Sequence, residues 1–119
     1  MKFISPKIHG IIDFLVVLLL LASPMLFGMN GILALFTYAL GIVHLILTLL
    51  TDFSAGAFKL IPLPFHGMIE LLVGVVLIVL AFTLFNDGGI GKIYYICFGA
   101  AVLLTWLFTD YNGVTIASV

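Results

Sequence analysis

Charge is what this sequence has least of. Its 119 residues include four lysines, five acids and no arginine, so 8% are charged while 65% are hydrophobic. A water-soluble domain gives about a quarter of its residues to charge, so lipid must solvate most of these side chains. The formal net charge of -1 leaves no basic surface for nucleic acid. One cysteine, Cys97, excludes an intrachain disulfide and any Cys-x-x-Cys metal or redox element, and within its apolar run the residue is expected to pack. Runs such as Leu15 to Leu21 lack period-two alternation, which excludes transmembrane β-strands.

What the sequence does have is four apolar stretches, each near the roughly 20 residues that cross a bilayer. They run from Pro6 to Phe27, Ile32 to Thr51, Pro64 to Phe85 and Ile90 to Thr109. The expected fold is an all-α membrane protein, one transmembrane domain over residues 1–119 built as a four-helix bundle. Asp13 interrupts the first stretch and Pro24 follows its small residues, so it is expected to remain as a helix and not to act as a cleaved leader. Ser5 before Pro6 reads as an N-cap with proline at the first helical position, and Pro64 starts the third helix similarly. Gly28-Met29-Asn30-Gly31 and Asn86-Asp87-Gly88-Gly89 form tight connections on one side, and Phe53 to Leu63 lies in the interface on the other. Lys2, Lys7 and Lys59 share the side of the termini, against Lys92 opposite. The positive-inside rule then puts both termini in the cytoplasm of a bacterial inner-membrane protein.

The chain also repeats itself. Fifty-seven residues separate His9-Gly10-Ile11-Ile12-Asp13 from His66-Gly67-Met68-Ile69-Glu70, and 58 separate Thr51-Asp52-Phe53 from Thr109-Asp110-Tyr111 and Gly41 from Gly99. Leucine matches are cheap in membrane sequences, but these polar ones are not. Two tandem hairpins, residues 6–56 and 64–113, are expected to be parallel repeats about an axis along the membrane normal.

This topology collects the polar residues at one membrane level. His9, Asp13, His66 and Glu70 lie near two helix starts, and Thr51, Asp52, Thr109 and Asp110 lie at two helix ends. Positions i and i+4 share a helix face, so His9 pairs with Asp13 and His66 with Glu70. Ionisable groups at that depth should face the bundle interior and one another. Asp52 and Asp110, at helix C-termini, call for cationic company. Helix 2 carries polarity inward through Thr37, Gly41, His44 and Thr48. His44 falls near mid-membrane, and its counterpart in the fourth helix is Val102.

Four uses of this cluster follow. It could be a satisfied network that locks the helices, the role of a structural or partner-binding scaffold. Two imidazoles and two carboxylates also suit a divalent transition metal such as Zn, Mn or Fe. His44 and Thr48 could extend it into a proton or cation path, although the opposite half of the membrane offers little beyond Ser23 and Thr83. Paired histidines could hold a haem, or serve an enzyme, without any attachment motif or catalytic triad to support either. Trp106, Tyr94, Tyr95 and Tyr111 are expected as interface anchors and packing. Besides lipid, a second copy of the chain is the expected partner, because four helices alone enclose little space for a solute.

Ala22-Ser23-Pro24-Met25, near the end of the first helix, resembles the SPW-repeat class of small bacterial membrane proteins, which pair two helices per repeat and end the first with Ser-Pro-Trp. Methionine stands here in place of the tryptophan, and the second copy reads Leu80-Ala81-Phe82. The resemblance implies the hairpin architecture and brings no site residues with it. By size, helix count and the acid at Asp13 the chain also resembles small multidrug exporters, from which Glu70 in the third helix departs.

Overall fold

A computed structural model describes residues 2–51 and 58–111. Its elements, in order, are α1 (Pro6–Leu26), α2 (Gly31–Leu50), α3 (Leu63–Phe82) and α4 (Ile90–Phe108). All four are long and apolar enough to cross a membrane, since 19 to 21 residues at a rise of about 1.5 Å match the hydrocarbon thickness. Large apolar side chains such as Leu18, Leu35 and Leu72 face outward, each more than 60% exposed. Such surfaces need lipid around them, and the chain is an integral membrane four-helix bundle.

Local chemistry sets the helix ends. Ser5 caps α1 by accepting the Ile8 amide at 3.2 Å, with Pro6 in the first turn. Gly28 and Gly88 adopt φ of +63° and +84°, values that a residue with a Cβ rarely tolerates, so they let the chain reverse after α1 and after α3. The third helix stops at Phe82, three residues before the expected Phe85. The amides of Thr83 and Phe85 both turn back to the Leu80 carbonyl, at 3.2 and 2.9 Å. That reversal carries the Phe85 ring into the core, stacked 5.3 Å from Tyr95.

Helices pair as sequence neighbours, α1 on α2 and α3 on α4. Small residues set the approach: a Cβ on Gly41 would come within 2.8 Å of Leu21, and one on Gly99 within 3.0 Å of the Gly74 carbonyl. The hairpins join at two levels. Toward the tight turns, Leu77, Ala81, Phe85 and Tyr95 form a buried cluster joined by Phe36. Two hydroxyl contacts cross there, Thr37 Oγ1 to Tyr95 Oη at 2.6 Å and Tyr94 Oη donating to Ser23 Oγ at 2.8 Å. This half of the bundle is therefore more polar than Ser23 and Thr83 alone suggest, because tyrosines of α4 supply the partners. Toward the chain ends, isolated parallel bridges join Ile4 to Thr109 and Thr51 to Ile61. Those pairs are offset by the same 57 and 58 residues as the polar motifs.

Candidate metal centre

The opening turns of α1 and α3 bring four side chains together. A helix that starts at Pro6 places His9 in its first turn and Asp13 one turn deeper on the same face. The same holds for His66 and Glu70 in α3. All four residues are buried, His9 and His66 completely. His9 Nε2 lies 3.3 Å from Asp13 Oδ1 and 2.8 Å from Glu70 Oε1. His66 Nε2 lies 3.1 Å from Asp13 Oδ2 and 3.5 Å from Glu70 Oε2. Each histidine thus faces the carboxylates of both hairpins. One ligand atom from each of the four falls within 4.8 Å of all the others, so an ion bound there would have to draw the donors closer together.

The far side of each imidazole is fixed by a threonine. Thr109 Oγ1 lies 2.8 Å from His9 Nδ1, and Thr51 Oγ1 lies 2.6 Å from His66 Nδ1. Both hydroxyls already donate to the carbonyl four residues back, Thr109 to Thr105 at 2.5 Å and Thr51 to Leu47 at 2.6 Å. A hydroxyl has one proton, so each threonine must accept from its histidine. Nδ1 carries the proton in both rings, and each Nε2 is turned toward the acids. A second group that orients an imidazole in this way is common around bound metals.

His44 belongs to this level and not to a separate one. Its Nε2 lies 3.5 Å from Asp13 Oδ1, and its ring centroid is 6.4 Å from that of His66. Asp13 can meet His44 because it sits two helical turns inside α1. Thr48 is buried and donates to the His44 carbonyl at 2.8 Å, which occupies its hydroxyl within α2. Asp110 is buried, and its amide donates to the Ile4 carbonyl at 2.9 Å. Asp52 lies outside the described residues.

Tyr111, expected as an interface anchor and packing residue, also touches the site. Its ring lies 5.5 Å from that of His9, and its Oη donates to Glu70 Oε1 at 3.3 Å. Gly67 makes room, since a Cβ there would meet the phenol ring at 2.7 Å. Burial, and then the charge of Glu70, push the Tyr111 hydroxyl above the usual phenol range. The available signal was Tyr111 standing one residue beyond the Thr-Asp pair, opposite Phe53 in the first copy. Cys97, expected to pack, is exposed.

Among the described residues, His9 Nε2, Asp13 Oδ2 and His44 Nε2 are buried without a partner of hydrogen-bond geometry despite these short approaches. Unpaired buried polar atoms are costly. Two of the three, His9 Nε2 and Asp13 Oδ2, belong to the four-residue group. No family model, curated protein or solved structure matches this chain.

Proposed function

We propose that this small integral membrane protein binds a divalent transition metal through His9, Asp13, His66 and Glu70. One observation carries the proposal: Thr51 and Thr109 commit both Nδ1 atoms as donors, so both Nε2 atoms face two carboxylates. If those nitrogens are unprotonated, lone pairs oppose anionic oxygens, and a cation between them resolves the conflict. Two imidazoles and two carboxylates form a donor set suited to Zn, Mn or Fe. With neutral histidines, a divalent ion and two carboxylates sum to zero charge, which suits a site inside a bilayer. The bound ion would supply Lewis acidity. The residues of the chain orient the donors and exclude water.

A second reading keeps the same charge balance with protons. Two imidazolium rings and two carboxylates also sum to zero, and the 2.8 Å approach of His9 Nε2 to Glu70 Oε1 favours a helix-locking role for them. The matched bridges and matched Thr-His contacts support a duplicated hairpin over residues 6–56 and 64–113. The excess of lysine at the site end supports cytoplasmic termini in a bacterial inner membrane.

Elemental analysis of purified protein, alongside a His9→Ala, His66→Ala double variant, separates the two uses. The metal reading expects near-stoichiometric metal in the wild type and its loss in the variant. A locking role expects metal-free protein in both, with the variant less stable.

A further inference from the structure

The two carboxylates divide their oxygens between the two histidines. Asp13 turns Oδ1 toward His9 Nε2, at 3.3 Å, and Oδ2 toward His66 Nε2, at 3.1 Å. Glu70 does the same, with Oε1 at 2.8 Å from His9 Nε2 and Oε2 at 3.5 Å from His66 Nε2. Each imidazole nitrogen therefore stands beside one oxygen of each acid, and the two nitrogens approach different oxygens.

These distances discriminate between one ion and two. Neighbouring donors about 2.1 Å from an ion, at tetrahedral to right angles around it, lie about 3.0–3.4 Å apart. The four nitrogen-to-oxygen approaches, from 2.8 to 3.5 Å, cluster on that spacing. Donors on opposite sides of a single ion are at most about 4.2 Å apart, whereas the group of four spans up to 4.8 Å. A single ion would have to contract the whole group, but an ion beside each histidine meets nitrogen-to-oxygen spacings already of the right size. The repeat allows the same count. His9 and Asp13 recur 57 residues on as His66 and Glu70, so an ion can lie on the approximate two-fold axis or occur once for each histidine.

Resting on the metal-binding function proposed above, we infer that the centre holds two divalent ions, manganese or iron, one beside His9 and one beside His66, bridged by both carboxylates. Imidazole and carboxylate suit these metals, and helix bundles hold such pairs between inward-facing acids and histidines. A pair of this kind is about 3.5–4 Å apart. His9 Nε2 and Asp13 Oδ2, buried without hydrogen-bond partners, each gain an ion, His9 on one and Asp13 Oδ2 on the other. Two divalent ions carry two positive charges more than two carboxylates, and two hydroxides drawn from water at the open positions would balance them within a bilayer. Three protein donors on each ion leave such positions, as in metal sites that activate water.

Stoichiometry and magnetic coupling test the pair. Full-length protein in lipid nanodiscs is stripped with chelator, saturated with Mn(II), desalted and analysed for manganese per chain and by electron paramagnetic resonance. Two ions per chain are expected, with the spectrum of an exchange-coupled pair. Glu70→Gln, which removes one bridge at nearly constant shape, should lose the coupled spectrum. If that variant fails to fold, as judged by circular dichroism, the wild-type spectrum decides. One ion per chain with an isolated-ion spectrum would overturn the pair and leave the single-ion function standing. Two ions without coupling would put the second elsewhere and overturn it too, as would a coupled spectrum that survives in folded Glu70→Gln protein. No bound manganese would also overturn the pair, and elemental analysis of the purified protein then decides the metal function by itself.

Discussion

Thr109 holds His9 by its back. The hydroxyl accepts from Nδ1 at 2.8 Å because its own proton is committed to the Thr105 carbonyl, and the two residues come from opposite ends of the chain. Thr109→Val keeps the side-chain shape and removes the acceptor. Metal affinity should drop by about 10 to 100 fold, the usual cost of losing such a support, while helix content is unchanged. Thr51→Val should do the same through His66. Competition titration with a chromogenic chelator reads both, and wild-type affinity in the two variants would show that the threonines do not set the tautomer.

Acid should release the metal. Each divalent ion requires both Nε2 atoms unprotonated, so protons compete for the same lone pairs, and two are taken up as the ion leaves. Affinity then falls by up to about a hundredfold per pH unit once both imidazoles are being protonated. Metal retained after dialysis over a pH series checks this, and retention independent of pH would argue against histidine ligands.

Tyr111 lies over the site, against His9 and Glu70. Tyr111→Phe keeps the ring beside His9 and loses the bond to Glu70, so its metal content should hold while its exchange with external chelator quickens modestly. Tyr111→Ala removes the cover and should quicken exchange much further. The direction of the hydroxyl's shift adds a second check. Its pKa in the folded chain is raised above the unfolded value, so the stability it contributes is fully present below about pH 10 and is lost only as pH rises further. Tyrosinate absorbance at pH 11 should therefore be nearly equal in wild type and Tyr111→Phe, and a full residue's difference would show an ordinary, exposed phenol.

The α3 and α4 backbones meet at glycines. In Gly99→Ala the new Cβ would lie 2.7 Å from Ile78 and 3.0 Å from the Gly74 carbonyl, and the backbone atom cannot swing aside. Destabilisation of about 1–3 kcal/mol is expected from such overpacking, measured by unfolding in mixed micelles. No loss would mean that the helices do not approach this closely in the membrane.

Much of this was legible in the residues. Apolar runs of bilayer length, Ser5-Pro6 at a start and glycines at the reversals gave the four helices, because in lipid the backbone must satisfy its own hydrogen bonds. The i, i+4 spacing, repeated 57 residues on, brought His9, Asp13, His66 and Glu70 into one candidate site. Cross-hairpin contacts were harder to read. His44 joins Asp13 because of how deep α1 and α2 set them against each other, and Tyr111 folds back over Gly67 because a short extended segment follows Thr109. Neither depends on a periodicity. The α3 end was misplaced for a related reason: Thr83 to Phe85 is as apolar as the helix before it, and only the packing of Phe85 on Tyr95 reveals the turn.

X-ray absorption at the edge of the bound metal tests the central claim most directly. The proposed metal site predicts nitrogen and oxygen ligands only, with the outer scattering of two imidazoles, reduced to one imidazole in His9→Ala. A spectrum without imidazole scattering, or one that His9→Ala leaves unchanged, would contradict the assignment of His9 and His66 as ligands.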